Sequence, residues 1–421
     1  MKKSKSGRIF LRVLLMIVTA GILIMLIWFG LKYVQRWLDA NVEVSSSDVS
    51  TSDASEGTVE LVSVSLDVTS VEIGKGLSHR LVAEGGNKIV FHSSDEKIAS
   101  VDENGLVKGT GVGQCTVSAE NEYGTSVDCT VTVKKTCYLT IDDGPTDSTE
   151  GILAVLKEND VKATFFVVSS MHLNLTKDMQ EQGHVVGLHS YSHVFKKCYA
   201  TSYSYLYGIE TLSDMVEGYT GKKCDLLRFP GGTGNTRCDP LWMRRNLSGA
   251  EDLGYRVFDW TATTGDSSKK ASAAFSLKNV KKTCTEDEEI LLMHDRDCNV
   301  AALKKIIPYL RSQGYVFETL DHYPEKSYHG KPIYSRDHKD IPSKSVSVTH
   351  KTYSIYAGSE IMLKALMDPI ESTDFVRWES SDPTVATVSI SGNVKTIKKG
   401  KVDIIAITSS GKRGVCHMTV L

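Results

Sequence analysis

Three rhythms of apolar and polar residues divide this chain. From Val13 to Leu31 the run VLLMIVTAGILIMLIWFGL carries no charge and matches the ~20 residues that cross a bilayer as a helix. Lys2, Lys3, Lys5, Arg8 and Arg12 precede it, and only Lys32 and Arg36 follow closely, a bias that holds the N-terminus inside. The run exceeds a signal-peptide core and no small-x-small cleavage site follows before Lys32. The expectation is a cytoplasmic tail and transmembrane anchor over 1–38, with the remainder outside the cell membrane. Residues 39–58, rich in Ser, Asp and Thr, cannot bury enough surface to order themselves and read as a flexible linker. The second rhythm, a period of two broken by Gly-containing turns, predicts all-β segments over 59–134 and 345–421. The third fills 135–325. There strand-like runs (CYLTI, KATFFVVSS, HVVGLH, YRVFDW, EEILLMH) alternate with helix-like ones (TEGILAVLKEND, VAALKKIIPYLRSQG), which predicts an α/β domain with mainly parallel strands. Residues 326–344 read as a second linker.

The two β segments repeat one another. SSDEKIASVDENGLVKGTGVGQCTV, from Ser93, aligns without gaps on SSDPTVATVSISGNVKTIKKGKVDI, from Ser380. Ala99 falls on Ala386, Val101 on Val388, Gly105 on Gly392, Val107 on Val394 and Gly113 on Gly400. Short strands joined by tight turns over this length predict two small sandwiches. The pattern resembles the bacterial immunoglobulin-like domain, group 2, which implies spacer, adhesive or wall-binding modules.

Composition narrows the partners. At 421 residues the chain exceeds one ordinary domain, and 41% hydrophobic with 24% charged residues is a folded composition, so two to four domains are expected. The net charge of -2, with no basic stripe beyond the first twelve residues, argues against nucleic acid. The nine cysteines include no CxxC pair, which disfavours a cysteine-based zinc site. Cys115 and Cys129 sit on two predicted strands of one module, as a cross-sheet disulfide or as buried thiols.

Candidate chemistry gathers where strands of the central domain end: TIDDGP, HSYSH, DWTATTGD and LLMHD. Asp142 and Asp143 are adjacent, and like charges repel unless something neutralises one of them. The spacing of His189 and His193 would set both imidazoles on one side of a helical turn, where they share a ligand. One carboxylate and two histidines make three protein ligands with a position left for water. Each feature has an ordinary alternative: Asp-Asp-Gly-Pro is also a solvated turn, and two histidines at this spacing also occur without metal.

TIDDGP, HSYSH, RFPGG, DWTATTGD and LLMHD resemble, in order and spacing, the five motifs of the polysaccharide deacetylase family. The resemblance covers residues 137–322 and implies a distorted (β/α) barrel with fewer than eight regular units. It also implies a hydrolase that removes N-acetyl groups from amino-sugar polymers. By position, Asp142 would be the general base, paired with Arg228. Asp143, His189 and His193 would ligate a divalent metal, Zn²⁺ first and Co²⁺ second. His294 would be the general acid, oriented by Asp266. Pro230 and Gly231 would frame the oxyanion site, and Leu292 would line the acetyl pocket. Three positions depart from the pattern: Ile141 stands for phenylalanine, Gly231 for tyrosine and Ser267 for tryptophan. Trp260, six residues before Asp266, is the candidate aromatic wall instead. The expected substrate is an acetylated amino-sugar polymer, peptidoglycan N-acetylglucosamine first. Two alternatives share these features: a surface adhesion or glycan-binding protein with a vestigial deacetylase domain, and a two-histidine-one-carboxylate iron oxygenase. The first conflicts with the retention of all six polar motif residues, and the second leaves Asp142 and His294 without a role. His172, His184, His322, His329 and His338 read as solvated or structural.

Overall fold

A computed structural model describes residues 62–201, 204–330 and 340–421. The predicted anchor and the linker after it lie outside the described residues, as do residues 331–339 of the predicted linker at 326–344, His338 among them. Among the described residues no helix is long and apolar enough to cross a membrane.

The labelled elements belong to the central domain. Its strands are β1 (Ser126–Asp142), β2 (Thr164–Val168), β3 (Val185–Ser190), β4 (Leu226–Leu227), β5 (Arg256–Val257), β6 (Ala262–Thr263), β7 (Glu288–His294) and β8 (Tyr315–Glu318). Its main helices are α1 (Thr149–Glu158), α2 (Leu175–Glu181), α3 (Ser204–Thr220), α4 (Pro240–Asp252), α5 (Ala273–Thr283) and α6 (Asp297–Ser312). The parallel strands follow the order β5-β4-β3-β2-β1-β7-β6, and β8 pairs with the lower part of β1. The end strands β5 and β6 are joined by only Phe258–Thr261, so the sheet curls without eight regular units.

Period-two alternation sorts the two faces of β1. Cys137, Leu139 and Ile141 enter the core between sheet and helices, while Tyr138 packs with Phe166, Leu226, Phe258, Ile290 and Leu320 inside the curl. Thr140 and Asp142 share that inner face. Parallel register sets His294 beside Asp142 and Leu292 beside Thr140, so the motif residues of β1 and β7 rise together above an apolar floor.

The two outer modules answer the repeat bond for bond. Ser93 Oγ donates to Ala99 O at 2.5 Å and Ser380 Oγ to Ala386 O at 2.6 Å. Thr116 N donates to Ser94 Oγ and Asp403 N to Ser381 Oγ, both at 2.9 Å. Each module stacks one sheet on another around its own apolar core. The disulfide considered for Cys115 and Cys129 does not form, and all nine cysteines are free thiols. Register explains this: Cys115 lies opposite Val131, and Cys129 opposite Val117. Cys129 matches Cys416 in the second copy, and both are fully buried, so this position packs a small apolar side chain.

No linker separates the first module from the central domain. The first half of β1 closes that module's hairpin against Gly113–Asn121, and its second half is the central strand of the catalytic sheet. Thr136 Oγ1 donates to Lys75 O at 2.9 Å, and Asp287 lies 3.7 Å from Lys75 and 3.4 Å from Lys135. Residues 327–330, inside the predicted linker, run along β5: Tyr328 N donates to Val257 O and Asp259 N to Tyr328 O.

Candidate active site

At the end of β1 two successive carboxylates must reach one cleft, although alternate strand residues face opposite ways. The backbone resolves this at Asp143, which adopts φ 70°, a left-handed conformation uncommon outside glycine. Gly144 follows where a Cβ would collide with Asp295 Oδ2, so the close approach requires glycine. Asp295, buried, accepts from Thr146 Oγ1 at 3.0 Å and from Thr149 Oγ1, and its N–H donates to Asp142 O at 2.7 Å. These bonds hold the TIDDGP turn from below.

HSYSH is not a helical turn, contrary to the spacing argument. His189 lies within β3 and His193 in the loop after it, at φ 49°. Ser190 Oγ accepts from His193 N at 2.9 Å and closes the turn, leaving the two rings 5.0 Å apart. Asp143 and His193 are thus two of the three non-glycine residues at positive φ among the described residues. Strain of this kind persists where surrounding structure imposes it, as at functional sites.

Ligand-type atoms converge here. The donor atoms of Asp143, His189 and His193 lie within 4.8 Å of one another. Asp143 Oδ1 is 3.4 Å from His189 Nε2 and 3.2 Å from His193 Nε2, yet it is buried and has no hydrogen-bond partner. Tetrahedral zinc ligands about 2.1 Å from a common centre stand roughly 3.4 Å apart, so the set fits such an ion. His189 Nδ1 donates to Arg228 O at 2.8 Å, which turns Nε2 and its lone pair toward Asp143. Burial pushes the His189 pKa down despite the nearby carboxylates, favouring the neutral, ligating form.

Arg228 is fully buried, a position a guanidinium tolerates only when its N–H groups are partnered. Nη1 donates to Asp142 Oδ1 at 2.9 Å and to Thr140 Oγ1 at 2.7 Å; Nε reaches Phe258 O and Nη2 reaches Asp259 O. Its plane lies 4.3 Å from the Phe166 ring. Asp142 Oδ1 is thereby held, while Oδ2 lies 3.8 Å from His189 Nε2 on the ligand side.

Across the cleft, His294 Nδ1 donates to Asp266 Oδ1 at 2.7 Å, and His294 N donates to Asp266 Oδ2 at 2.7 Å. Burial opposes a charge on His294, but the hydrogen bond and charge of Asp266, with Asp142 and Asp143 nearby, outweigh it and raise its pKa. The Asp266 pKa is lowered, because His294 and Asn299 overcome its burial. A general acid must be protonated, so activity persists above the ordinary imidazole value and falls as pH rises through the raised pKa. Asp266→Asn removes the charge that raises it and leaves burial pressing it down. The alkaline limb of kcat/KM against pH is expected to move to lower pH; an unmoved limb would show that His294 is not the titrating acid.

The RFPGG loop places a backbone donor. Pro230 O accepts from Tyr199 Oη at 3.0 Å and Asn235 Nδ2 at 3.2 Å. A trans peptide directs its C=O and N–H oppositely, so the Gly231 N–H points away from these partners, at an exposed residue with φ 78°. Trp260, half-buried, stands 5.8 Å from the Arg228 guanidinium, and a Cβ on Gly232 would come within 3.1 Å of its ring. Leu292 is buried on the same strand face as His294. Asp142, Asp143, His189, His193, Arg228, Asp266 and His294 therefore gather at one end of the sheet, while Leu292 and Trp260 stand lower, beside Thr140 and next to the Thr261–Ile290 pairing.

Sequence reasoning missed three supports. Asn299, fully buried, donates to Asp266 Oδ2 and to His294 O. Asp259 accepts from Thr233 N and Gly330 N, both at 2.9 Å. Tyr205 Oη donates to His189 O at 2.8 Å and Arg228 O at 3.1 Å. Only Asp259, in the quoted DWTATTGD segment, stood beside a motif. Of the other histidines, His184 is structural: it is buried, its Nδ1 accepts from Ala163 N at 3.1 Å, and burial lowers its pKa to about 4; His322 is largely exposed beside Glu318.

The polysaccharide deacetylase family profile matches residues 130–258, and the bacterial Ig-like domain (group 2) profile matches 58–131 and 342–416. A peptidoglycan-N-acetylglucosamine deacetylase of Bacillus cereus is 33% identical over 208 residues, 47% of this chain and 74% of that protein. The peptidoglycan-N-acetylglucosamine deacetylase PgdA of Listeria monocytogenes is 35% identical over 208 residues, covering 48% of this chain and 42% of that protein. Among solved structures, the catalytic domain of peptidoglycan N-acetylglucosamine deacetylase from Eubacterium rectale shares 31% identity over 47% of this chain and 93% of that one, with a TM-score of 0.45. The chain belongs to the polysaccharide deacetylase family. It is a deacetylase, a hydrolase, with two bacterial Ig-like modules.

Proposed function

We propose that this protein is a metal-dependent N-deacetylase of peptidoglycan N-acetylglucosamine, held at the outer face of the cell membrane by its N-terminal apolar run. The observation that carries the reading is the buried, unpartnered Asp143 Oδ1 between two imidazole nitrogens, with the Asp142–Arg228 pair beside it and His294–Asp266 opposite. Asp143, His189 and His193 would hold the ion. Bound there, a divalent cation, Zn²⁺ before Co²⁺, supplies Lewis acidity toward water and the acetamide carbonyl, lowering the pKa of water to about 7.

The chain's own groups perform the proton transfers. Asp142, fixed through Oδ1 by Arg228, takes a proton from the attacking water with Oδ2. The Gly231 N–H donates to the oxygen that becomes negative in the tetrahedral intermediate. His294, charged and oriented by Asp266, gives its proton to the departing nitrogen. The C–N bond breaks, acetate takes the water oxygen, and the sugar keeps a free amine that is charged at neutral pH. The wall substrate is supported by the proteins this chain resembles and by the predicted anchor.

The test is acetate release from purified peptidoglycan and N-acetylglucosamine oligomers by the fragment beginning near residue 59. Chelation is expected to abolish release and added Zn²⁺ or Co²⁺ to restore it. Chelator-resistant release would remove the metal from the mechanism, and activity on other acetylated glycans alone would remove the wall substrate.

A further inference from the structure

We propose that the C-terminal Ig-like module gives the catalytic domain a distal subsite for the glycan strand, an extension that rests on the deacetylase reading above. A cavity of about 360 Å³ begins at Tyr191, between the two candidate ligand histidines, and runs along the face of α3 that carries Ser204, Tyr207, Gly208 and Thr211. These four residues follow helical spacing and so share one side of the helix. A second cavity, about 490 Å³, shares Ser204 and Tyr207 and continues onto Met362, Leu366 and Trp378 of the module. The two form one path from the HSYSH loop to the second domain. Tyr191, Tyr207, Met362 and Leu366 are each about half exposed or more, although all four are large apolar or aromatic residues on one surface.

The chemistry suits a pyranose. A sugar ring has an apolar C–H face and a polar edge. Tyr191, Tyr207 and Trp378 offer flat faces, while Ser204 and the tyrosine hydroxyls offer donors and acceptors. A polymer with one residue at Asp142 must leave the cleft somewhere, and this path starts at the cleft's own loop. The occupant is therefore the amino-sugar strand itself, several residues from the bond that is hydrolysed.

The experiment compares kcat and KM for short and long N-acetylglucosamine oligomers and for peptidoglycan glycan with and without stem peptides. Tyr207→Ala and Leu366→Asp alter exposed positions and preserve folding, unlike Trp378→Ala, whose ring packs over Gly392. Each is expected to reduce the preference for long over short chains by about tenfold, chiefly through KM. Tyr123→Ala, exposed on the first module, is the matched control and leaves the preference intact. An unchanged preference in both variants overturns the subsite, and so does an equal KM rise for short oligomers. Loss confined to peptide-bearing strands would assign the groove to peptide and likewise overturn it. No turnover of any oligomer by the parent protein would instead remove the deacetylase reading.

Discussion

Asp142→Asn is expected to slow acetate release by roughly 10²–10⁴-fold, the usual worth of a positioned general base. Asparagine keeps an oxygen to accept from Arg228 Nη1, now 2.9 Å from Asp142 Oδ1, so the guanidinium does not lose every partner at that point. What it loses is the carboxylate that takes the proton. The ligand set of Asp143, His189 and His193 is untouched, and the variant should bind zinc with unchanged stoichiometry. Zinc uptake and thermal unfolding serve as checks on folding, because removing one member of a buried ion pair can itself cost about 3–5 kcal/mol. A folded, zinc-loaded Asp142→Asn protein with parent-like kcat would take the base role from Asp142. Loss of zinc with loss of activity would make Asp142 a ligand instead.

Phe375→Ala is expected to lower stability by about 3–5 kcal/mol, although Phe375 belongs to the C-terminal module and lies far in sequence from the catalytic motifs. Its ring is 1% exposed and sits in the core of the catalytic domain. A Cβ on Gly249 of α4 would lie 2.5 Å from that ring and 2.6 Å from Leu206 of α3, so glycine admits the insertion. Arg245 of α4 donates to Ser372 O and Ile370 O, and Arg244 reaches Asp340 at 2.8 Å. The module is therefore seated on α4 and covers apolar surface that the catalytic domain cannot otherwise bury. Truncation before residue 342 should act in the same direction as Phe375→Ala, lowering the denaturation midpoint of the catalytic domain. An unchanged midpoint in the truncated protein would reduce the module to a tethered spacer.

These expectations also separate what was legible in the chain from what was not. The ligand and catalytic groups were legible because strand ends concentrate chemistry and each motif lies within a few residues of one: Asp142 and Asp143 after CYLTI, His189 in HVVGLH, and His294 closing EEILLMH. The repeat was legible because the gapless offset between modules preserves both apolar alternation and the serine hydroxyls that close the same turns. The geometry of HSYSH was misread, since spacing alone does not distinguish a helical turn from a strand end closed by a serine side chain. Asn299 and Tyr205 left no local signal. Each acts through a contact whose partner is remote or is a backbone carbonyl, and a carbonyl is available at every residue.

The sequence by itself determined the family, the order of the motifs, the residue types able to hold a cation and move protons, and the two sandwiches. Local patterning suffices for these, because periodicity and turn residues act over a few positions. Only the tertiary structure decided that one strand serves both the first module and the catalytic sheet, and that Phe375 completes a core not its own. It alone left Cys115 and Cys129 unpaired and gathered Asp143, His189 and His193 around one point. Those outcomes depend on register and on packing between segments distant in the chain, where a single residue's shift would turn every side chain to the opposite face.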